Sequence, residues 1–170
     1  MNLRELRHKI HNGCVFEYEF FWSGPFSQWH PSAFTVDKVR YHNAEQFMMA
    51  EKARVFGDTA TNKRILAERH PVAIKQLGRE VKGYDDSKWS SVRFDIVVRG
   101  SVAKFSQNDA LKKTLLDTGD KILVEASPKD LVWGIGLDKD HPNASDPTKW
   151  PGTNLLGFAL CVAREQVRSL

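Results

Sequence analysis

An acid and a base lie on the apolar side of one predicted helix. Residues 41–58 read YHNAEQFMMAEKARVFGD. At about 100° per residue, Glu45 and Lys52 fall near the middle of the side that carries the large apolar residues. A carboxylate can stabilise positive charge or steer water, and a lysine can hold a phosphate, give up a proton or attack a carbon. The apolar residues on the same side are Met48, Met49, Val55 and Phe56.

The ends of this helix are marked in the sequence. Asn43 is a good N-cap, and Gln46 three residues later completes a variant of the capping box, so the helix is predicted to begin at Ala44. Gly57 supplies the C-terminal stop. Phe47 falls on the polar side, which indicates that other elements cover this helix on more than one flank.

Each of the two charges also has a purely structural explanation. A glutamate in the first turn meets the positive end of the helix dipole, and a lysine can bury its stem while its ammonium reaches water. Glu45 and Lys52 are two turns apart, however, about 10 Å along the axis, which is too far for an i,i+4 salt bridge. Each needs its own partner, and a ligand could be that partner.

A second group of chemically useful residues lies within a dozen positions of the chain. Its carboxylates are Glu125 and Asp130, and it contains the sequence W-G-I-G. Trp133 offers a face on which a base or sugar could stack, and Gly134 and Gly136 allow a ligand to approach the backbone closely. The same pattern is also typical of a glycine-bearing turn around a core tryptophan.

The motifs that are missing narrow the chemistry. Cys14 and Cys161 are the only cysteines, and no His/Cys cluster has the spacing of metal ligands, so neither a disulfide scaffold nor a metal site is predicted. The phosphate-binding loops and the serine and zinc hydrolase motifs are absent. Acids, a lysine and tryptophans remain, and this set suits cleavage of a glycosidic bond without a cofactor. Trp89, at the start of a long predicted helix, is either one of these tryptophans or a core residue.

The elements that would position these residues are predicted from periodicity and turn residues. Residues 14–22 and 34–41 are expected to be strands, and residues 122–127 and 131–137 a hairpin around the turn-like PKD. Asn154 is expected to cap a last helix that is apolar nearly all round and therefore central. The pattern predicts one domain over residues 1–170 with a helix-dominated α+β fold. Further helices are predicted for residues 59–70, for 71–77, from about residue 87, and for 109–117.

Composition and charge limit the class of protein. The 170 residues are 41% hydrophobic and 27% charged, as in an ordinary globular protein, and the formal charge of +4 comes from scattered Lys and Arg. This balance favours an anionic ligand and does not require nucleic acid. The charged N-terminal segment does not fit a secretory signal, and no apolar run reaches membrane length. A cytoplasmic protein without a membrane partner is expected.

Several motifs occur in a recognisable order along the chain. They are FWSGPFSQW (21–29), YHNAEQFMMAEKARVF (41–56), LGRE (77–80), Trp89, KFSQN (104–108), LVEASPKDLVWGIGL (123–137), and GTNLLGFAL (152–160) with Arg164. Together they resemble the NADAR family, also called the YbiA-like N-glycosidases, over about residues 16–168. The resemblance implies a compact, mainly helical domain that hydrolyses N-glycosidic bonds to ribose. It implies two activities: cleavage of ribosylamino-pyrimidine phosphate intermediates of riboflavin biosynthesis, and removal of ADP-ribose from guanine bases.

The resemblance also implies a pocket for a ribosyl or ADP-ribosyl small molecule, including one attached to a nucleic-acid base. Glu45, Lys52 and Asp130 are the expected catalytic residues of that pocket. Residues expected to bind the substrate are Trp89, Trp133, Gly134, Gly136, Glu125, Arg79 and Asn154.

Several alternatives stay open at the level of sequence. Lys52 would hold a phosphate, protonate the leaving nitrogen, or form a Schiff base with a ring-opened ribosylamine. Some family members have an acid directly after W-G, where this chain has W-G-I-G-L-D, so Asp138 is a weaker candidate than Asp130. Arg164 is a second candidate, beside Arg79, for a phosphate contact, and the alternative for either arginine is a structural ion pair. The alternative to an enzyme is a non-catalytic module that binds ADP-ribose or a nucleotide, as an antitoxin or a sensor.

Overall fold

In the computed structural model, which describes residues 1–170, seven α-helices surround two small β-sheets. Helices account for about half of the chain, which confirms the predicted helix-dominated α+β class. None of the helices is both long enough and apolar enough to cross a bilayer. The helices are α1 (Leu3–His11), α2 (Ala44–Val55), α3 (Thr59–Ala67), α4 (Pro71–Arg79), α5 (Asp86–Ser106), α6 (Asp109–Leu116) and α7 (Leu155–Arg168). The strands are β1 (Tyr18–Phe21), β2 (Phe34–Val36), β3 (Val39–Tyr41) and β4 (Ile122–Glu125).

The first sheet joins two segments that are far apart in sequence. β1 pairs with β4 in parallel, with Tyr18 opposite Ile122 and Phe21 opposite Glu125. Because parallel strands end at the same edge of their sheet, the loops that follow Phe21 and Glu125 leave that edge side by side. Both loops contribute to the cavity described below.

Helix α7 packs directly against β4. Gly157 has no room for a side chain, because a Cβ there would collide with the Leu123 carbonyl oxygen. Asn154, which is fully buried, donates through Nδ2 to the Leu123 carbonyl at 2.9 Å and accepts the Glu125 N–H at 3.0 Å. Asn154 is the N-cap residue of α7, as predicted, but its side chain makes no capping hydrogen bond. Its polar atoms are used to hold β4 instead.

Helix α2 lies at the centre of the fold. All residues from 44 to 51 are buried, and helices α3, α4 and α5 pack around them. A Cβ at Gly78 of α4 would collide with Met49, and one at Gly100 of α5 would collide with Phe47. These glycines let the neighbouring helices approach α2 closely, and the prediction that α2 is covered on more than one flank is confirmed.

The start of α2 is also as predicted. The Asn43 side chain accepts the Gln46 N–H at 2.8 Å, and the helix begins at Ala44. The Gln46 side chain does not complete a capping box, because its oxygen accepts the N–H of His42, one residue earlier than the cap.

The predicted hairpin is wrong. Only Ile122–Glu125 forms a strand, and residues 131–137 form a run of bends. The Ile135 N–H donates to the Glu125 carbonyl at 2.9 Å, and Gly136 has a φ of +72°. The segment therefore folds back over the end of β4 and does not run beside it as a second strand.

The other strand predictions need shorter bounds. The strand expected over residues 14–22 is Tyr18–Phe21, and residues 34–41 form an antiparallel hairpin, β2 and β3. Asp37 and Lys38 make its turn, with φ of 50° and 66°. Helix α1 was not predicted from the sequence pattern.

Candidate active site

A cavity of about 440 Å³ opens between α2, α4, α5 and the two loops that follow β1 and β4. Other surface cavities have similar volumes, but this one combines three carboxylates with three basic side chains and four tryptophans. The charged and aromatic lining residues are Glu45, Glu125, Asp130, Lys52, Lys75, Arg79, Trp22, Trp29, Trp89 and Trp133.

Glu45 lies in the first turn of α2 and is only 5% exposed. Burial raises the pKa of Glu45 to about 7, and the negative charge of Asp130 acts in the same direction. Lys75, hydrogen bonding from the Trp29 side chain, and Lys52 all lower it. Glu45 is therefore a carboxyl group that can take up or release a proton near neutral pH.

Lys52 lies two turns further along the same helix. Its Nζ donates to the Gly78 carbonyl at 2.7 Å and lies 4.5 Å from the centroid of the Tyr84 ring. Burial lowers the pKa of Lys52, Arg79 lowers it further, and Glu45 raises it. A larger share of this lysine is thus the neutral amine than for a lysine in water.

Glu125 is the last residue of β4 and also lines the cavity. Its Oε2 is enclosed and has no hydrogen-bond partner in the protein. Burial raises the pKa of Glu125 to about 7, Asp130 and Glu45 add to the effect, and Lys75 opposes it.

No group of three or more His, Cys, Asp or Glu side chains is arranged to hold a metal ion.

Asp130 organises the loop after β4. Its Oδ1 accepts the N–H groups of Val132 at 2.9 Å and Trp133 at 2.8 Å. These bonds fix the turn that presents Trp133 to the cavity. The guanidinium carbon of Arg93 lies 6.0 Å from the centroid of the Trp133 ring and supports it from α5.

The tryptophans divide into an inner and an outer pair. Trp89, 6% exposed, and the half-buried Trp133 belong to the inner pair. Trp22 and Trp29 are 59% and 40% exposed and lie at the mouth. The Nζ of Lys75 is 5.9 Å from the centroid of the Trp29 ring. The inner pair can wall a base or sugar, while the outer pair offers apolar surface to whatever extends from the cavity.

The loop after β1 supplies residues that were not singled out from the sequence. Trp22, Ser27, Gln28 and Trp29 all line the cavity. In the sequence this segment is the motif FWSGPFSQW, which does not by itself assign roles to its members. The sequence feature that predicts a binding role here is the presence of two tryptophans in a loop of small and polar residues. Large apolar side chains in a loop often serve binding.

Two glycines expected to approach the substrate pack against protein atoms instead. A Cβ on Gly134 would lie 2.9 Å from the Glu125 carbonyl oxygen, and one on Gly136 would lie 2.6 Å from the Leu131 side chain and 2.9 Å from Pro151. Neither glycine lines the cavity. Because they have no side chains, the loop can pack on the end of β4, and the structure does not bring either glycine to the cavity wall.

Three polar candidates also lie outside the cavity lining. Asn154, expected to bind substrate, is fully buried and bonded to the backbone of β4. Arg164 is buried and donates to Thr118 Oγ1 at 2.7 Å and to the Lys121 carbonyl at 2.8 Å. Asp138 is exposed. Arg79, in contrast, lines the cavity and is the arginine available for a phosphate.

The comparisons with known proteins cover nearly the whole chain. Residues 20–168 match the model of the NADAR domain. An N-glycosidase of Acanthamoeba polyphaga mimivirus is 45% identical over 146 residues, which are 83% of this chain and 86% of that protein. An N-glycosidase of Nostoc punctiforme is 30% identical over 147 residues, which are 86% of this chain and 87% of that protein.

A solved structure has the same architecture. The NMR structure of the Escherichia coli protein YbiA superposes with a TM-score of 0.71 at 25% sequence identity. The match covers 92% of this chain and 88% of that one.

Proposed function

Because the chain belongs to the NADAR family, we propose that it is a hydrolase of N-glycosidic bonds to ribose. The observation that carries the proposal is Glu45, an enclosed carboxyl group in a cavity that also holds Lys52 and two inner tryptophans. A charged group held inside a water-poor site interacts strongly with a cation that forms only during the reaction. The relatives named as N-glycosidases support the same type of reaction.

Glu45 would act at the anomeric carbon of the ribose. As the bond between this carbon and the nitrogen lengthens, positive charge develops on the sugar, and an ionised carboxylate stabilises it. The same carboxylate can accept a proton from the attacking water. Its pKa of about 7 suits a group that must accept a proton and release it again at neutral pH.

Lys52 has two competing roles in this proposal. Its lowered pKa favours the neutral amine, which can attack a ring-opened ribosylamine and form a Schiff base. In its charged form it would bind a phosphate or protonate the leaving nitrogen. Lys75 and Arg79 are four residues apart on α4, so both lie on the face of that helix that meets the cavity. They would hold a phosphate whichever role Lys52 has.

Two substrate classes fit these features. One is a ribosylamino-pyrimidine phosphate of the kind formed in riboflavin biosynthesis, and the other is ADP-ribose attached to guanine, free or in a nucleic acid. Both present a base for Trp89 and Trp133 and a phosphate for the basic residues of α4. Both cysteines are free thiols, which supports a reducing compartment, and we place the reaction in the cytoplasm.

The test is chromatography of the products formed from each substrate. The purified protein is incubated separately with a guanine oligonucleotide carrying ADP-ribose and with a ribosylamino-pyrimidine phosphate. Release of ADP-ribose, or of the free pyrimidine and ribose 5-phosphate, is expected from one of them. Saturable binding of ADP-ribose without release of any base would contradict the proposal and indicate a non-catalytic module.

A further inference from the structure

Glu125 is more than a substrate contact: we propose that it is the general acid that protonates the leaving nitrogen, opposite Glu45 as the base. The inference rests on the proposed N-glycosidase function and adds a second catalytic residue to it. Whether the sugar is attacked by water or by Lys52, the departing nitrogen carries an electron pair that needs a proton.

The backbone of Glu125 is fixed while its carboxyl group is left free. Its N–H donates to Asn154 Oδ1 at 3.0 Å, and its carbonyl accepts the Ile135 N–H at 2.9 Å. Pairing with Phe21 holds it from the other strand. The side chain lines the cavity, yet its enclosed Oε2 has no partner in the protein. A rigid main chain thus presents an unbonded carboxyl group to the space where a ligand would lie.

An enclosed oxygen without a partner favours the protonated form of the acid. An ionised carboxylate there would be an uncompensated buried charge, which is costly, whereas a neutral carboxylic acid costs much less. The proton can lie on Oε1, the oxygen of Glu125 that is not enclosed, and this O–H then needs an acceptor. The nitrogen of a bound N-glycoside would provide one, and the bond becomes strongest as the nitrogen gains negative charge.

The other ionisable groups of the cavity are less suited to this role. Asp130 uses Oδ1 to accept two backbone N–H groups, so that oxygen is not free to deliver a proton. Lys52 already donates to the Gly78 carbonyl. Lys75 and Arg79 are largely exposed on α4, where water competes for their protons.

The charges around the two glutamates differ. Burial is the largest cause that raises the pKa of each to about 7. At Glu45 the positive charges of Lys75 and Lys52 oppose that rise, whereas Glu125 faces two acids, Asp130 and Glu45, and only Lys75 opposes them. The pair can therefore hold one proton near neutral pH, and geometry divides the roles, because the enclosed oxygen without a partner belongs to Glu125.

The protons balance over one turnover with water as the nucleophile. The bond between the anomeric carbon and nitrogen breaks, its electron pair stays on nitrogen, and Glu125 gives that nitrogen its proton. Water adds to the anomeric carbon and Glu45 takes the water's proton. The products are ribose 5-phosphate or ADP-ribose and the free base or amine. Glu45 is then protonated and Glu125 ionised, and transfer of one proton between them through solvent restores the starting state.

The test compares Glu125→Gln with Glu45→Gln and Asp130→Asn, each checked for its fold by near-UV circular dichroism. With the natural substrate, Glu125→Gln should lower kcat/KM by roughly 10²- to 10⁴-fold, the usual contribution of a general acid. It should also remove the decline of kcat/KM on the basic side of the pH profile. Asp130→Asn changes another residue of the same cavity and should retain that decline. Glu45→Gln should instead lose the decline of kcat/KM on the acidic side of the profile.

A second substrate distinguishes proton donation from simple positioning. In a ribosyl 5-phosphate carrying 4-nitrophenolate, the leaving group departs as a stable anion and needs no proton. Glu125→Gln should lose less than about 10-fold on it, while Glu45→Gln should stay strongly impaired. Retention of the basic decline by Glu125→Gln with the natural substrate would overturn the inference, as would an equal loss on the two substrates. Lack of cleavage of any ribosyl substrate by the unmodified protein would instead refute the proposed function.

Discussion

The backbone N–H of Glu45 donates to the Gln28 carbonyl at 3.0 Å. This bond joins the first turn of α2 to the loop after β1, so the position of the proposed base depends on that loop. The loop is held from its other side by Lys104, which is 1% exposed and donates to the carbonyls of Pro25 at 2.6 Å and Ser27 at 2.9 Å. The KFSQN motif therefore supports the site from a distance.

Replacement of Lys104 by methionine should loosen the loop and impair substrate binding. Methionine has a similar length, but it leaves two carbonyls without donors, which costs about 1–3 kcal/mol for each buried group. We expect a lower midpoint of thermal unfolding and a KM raised several-fold, because Gln28 and Trp29 lose their fixed positions. Lys113→Met, which changes an exposed lysine of α6, is the matched control. It should alter neither the midpoint of thermal unfolding nor KM. An unchanged KM in Lys104→Met would show that the loop does not need this anchor.

Trp133→Ala should weaken binding of the substrate more than it weakens the fold. Stacking of a base on an aromatic side chain contributes roughly 1–3 kcal/mol, and Trp133 is half-buried at the cavity wall. Affinity for ADP-ribose, which carries a base, is measured by calorimetry beside thermal unfolding and checks this. A collapse of thermal stability with normal affinity in the remaining folded protein would make Trp133 a core residue.

The stability of the protein should depend on the two buried glutamates between about pH 4.5 and pH 7. Below the ordinary value of 4.5 both folded and unfolded chains hold the protons, and the glutamates have no effect. As the pH rises, the unfolded chain ionises first, because the pKa values in the fold are about 7, so the free energy of unfolding falls. Above about pH 7 both glutamates are ionised in the folded protein as well, and the free energy of unfolding falls no further on their account.

Glu45→Gln should therefore be more stable than the unmodified protein at about pH 8, by roughly 1–3 kcal/mol, and nearly equal to it at about pH 4.5. Urea unfolding at the two pH values measures this difference. Glu17→Gln, which changes an exposed glutamate, is the control and should show no such dependence. Lower stability of Glu45→Gln at both pH values would mean that Glu45 mainly stabilises the first turn of its helix.

Local patterns in the sequence were enough to place α2 and its two unusual charges. The position of Asn43, and of Glu45 and Lys52 on one side of the helix, depends only on neighbours within two turns. The site as a whole depends on the parallel pairing of β1 with β4, which no local pattern specifies. For this reason Trp22 and Trp29, brought to the mouth of the cavity by that pairing, were not identified as site residues.

The error at residues 131–137 has a definable cause. Valine and tryptophan are residue types that strands favour, and they indicate a strand at this position. In the structure, Asp130 accepts the N–H groups of Val132 and Trp133, so the side chain competes for the backbone and produces a turn. The preceding PKD was recognised as a turn, but its length was underestimated.

Lys52 can be tested directly for a covalent intermediate. Borohydride added during turnover reduces a Schiff base to a stable amine, so the neutral-amine route predicts a ribosyl adduct on Lys52 by mass spectrometry. Lys75→Met should still give the adduct, since Lys75 is assigned to phosphate. Verified turnover without any adduct would rule against the Schiff base and leave Lys52 with an electrostatic or proton-donating role.

The sharpest test of the site is the effect of Glu45→Gln on turnover. Glutamine keeps the size and the hydrogen-bonding reach of the side chain but cannot carry the charge that stabilises the anomeric cation. We expect kcat to fall by roughly 100-fold or more, equivalent to about 3 kcal/mol of barrier, with only a small change in KM. This loss should appear at about pH 8, where the same variant is predicted to be the more stable protein. A gain in stability together with a loss of turnover cannot come from a damaged fold, so the combination would assign Glu45 to catalysis. Near-normal turnover in both Glu45→Gln and Lys52→Ala would remove α2 from the catalytic machinery.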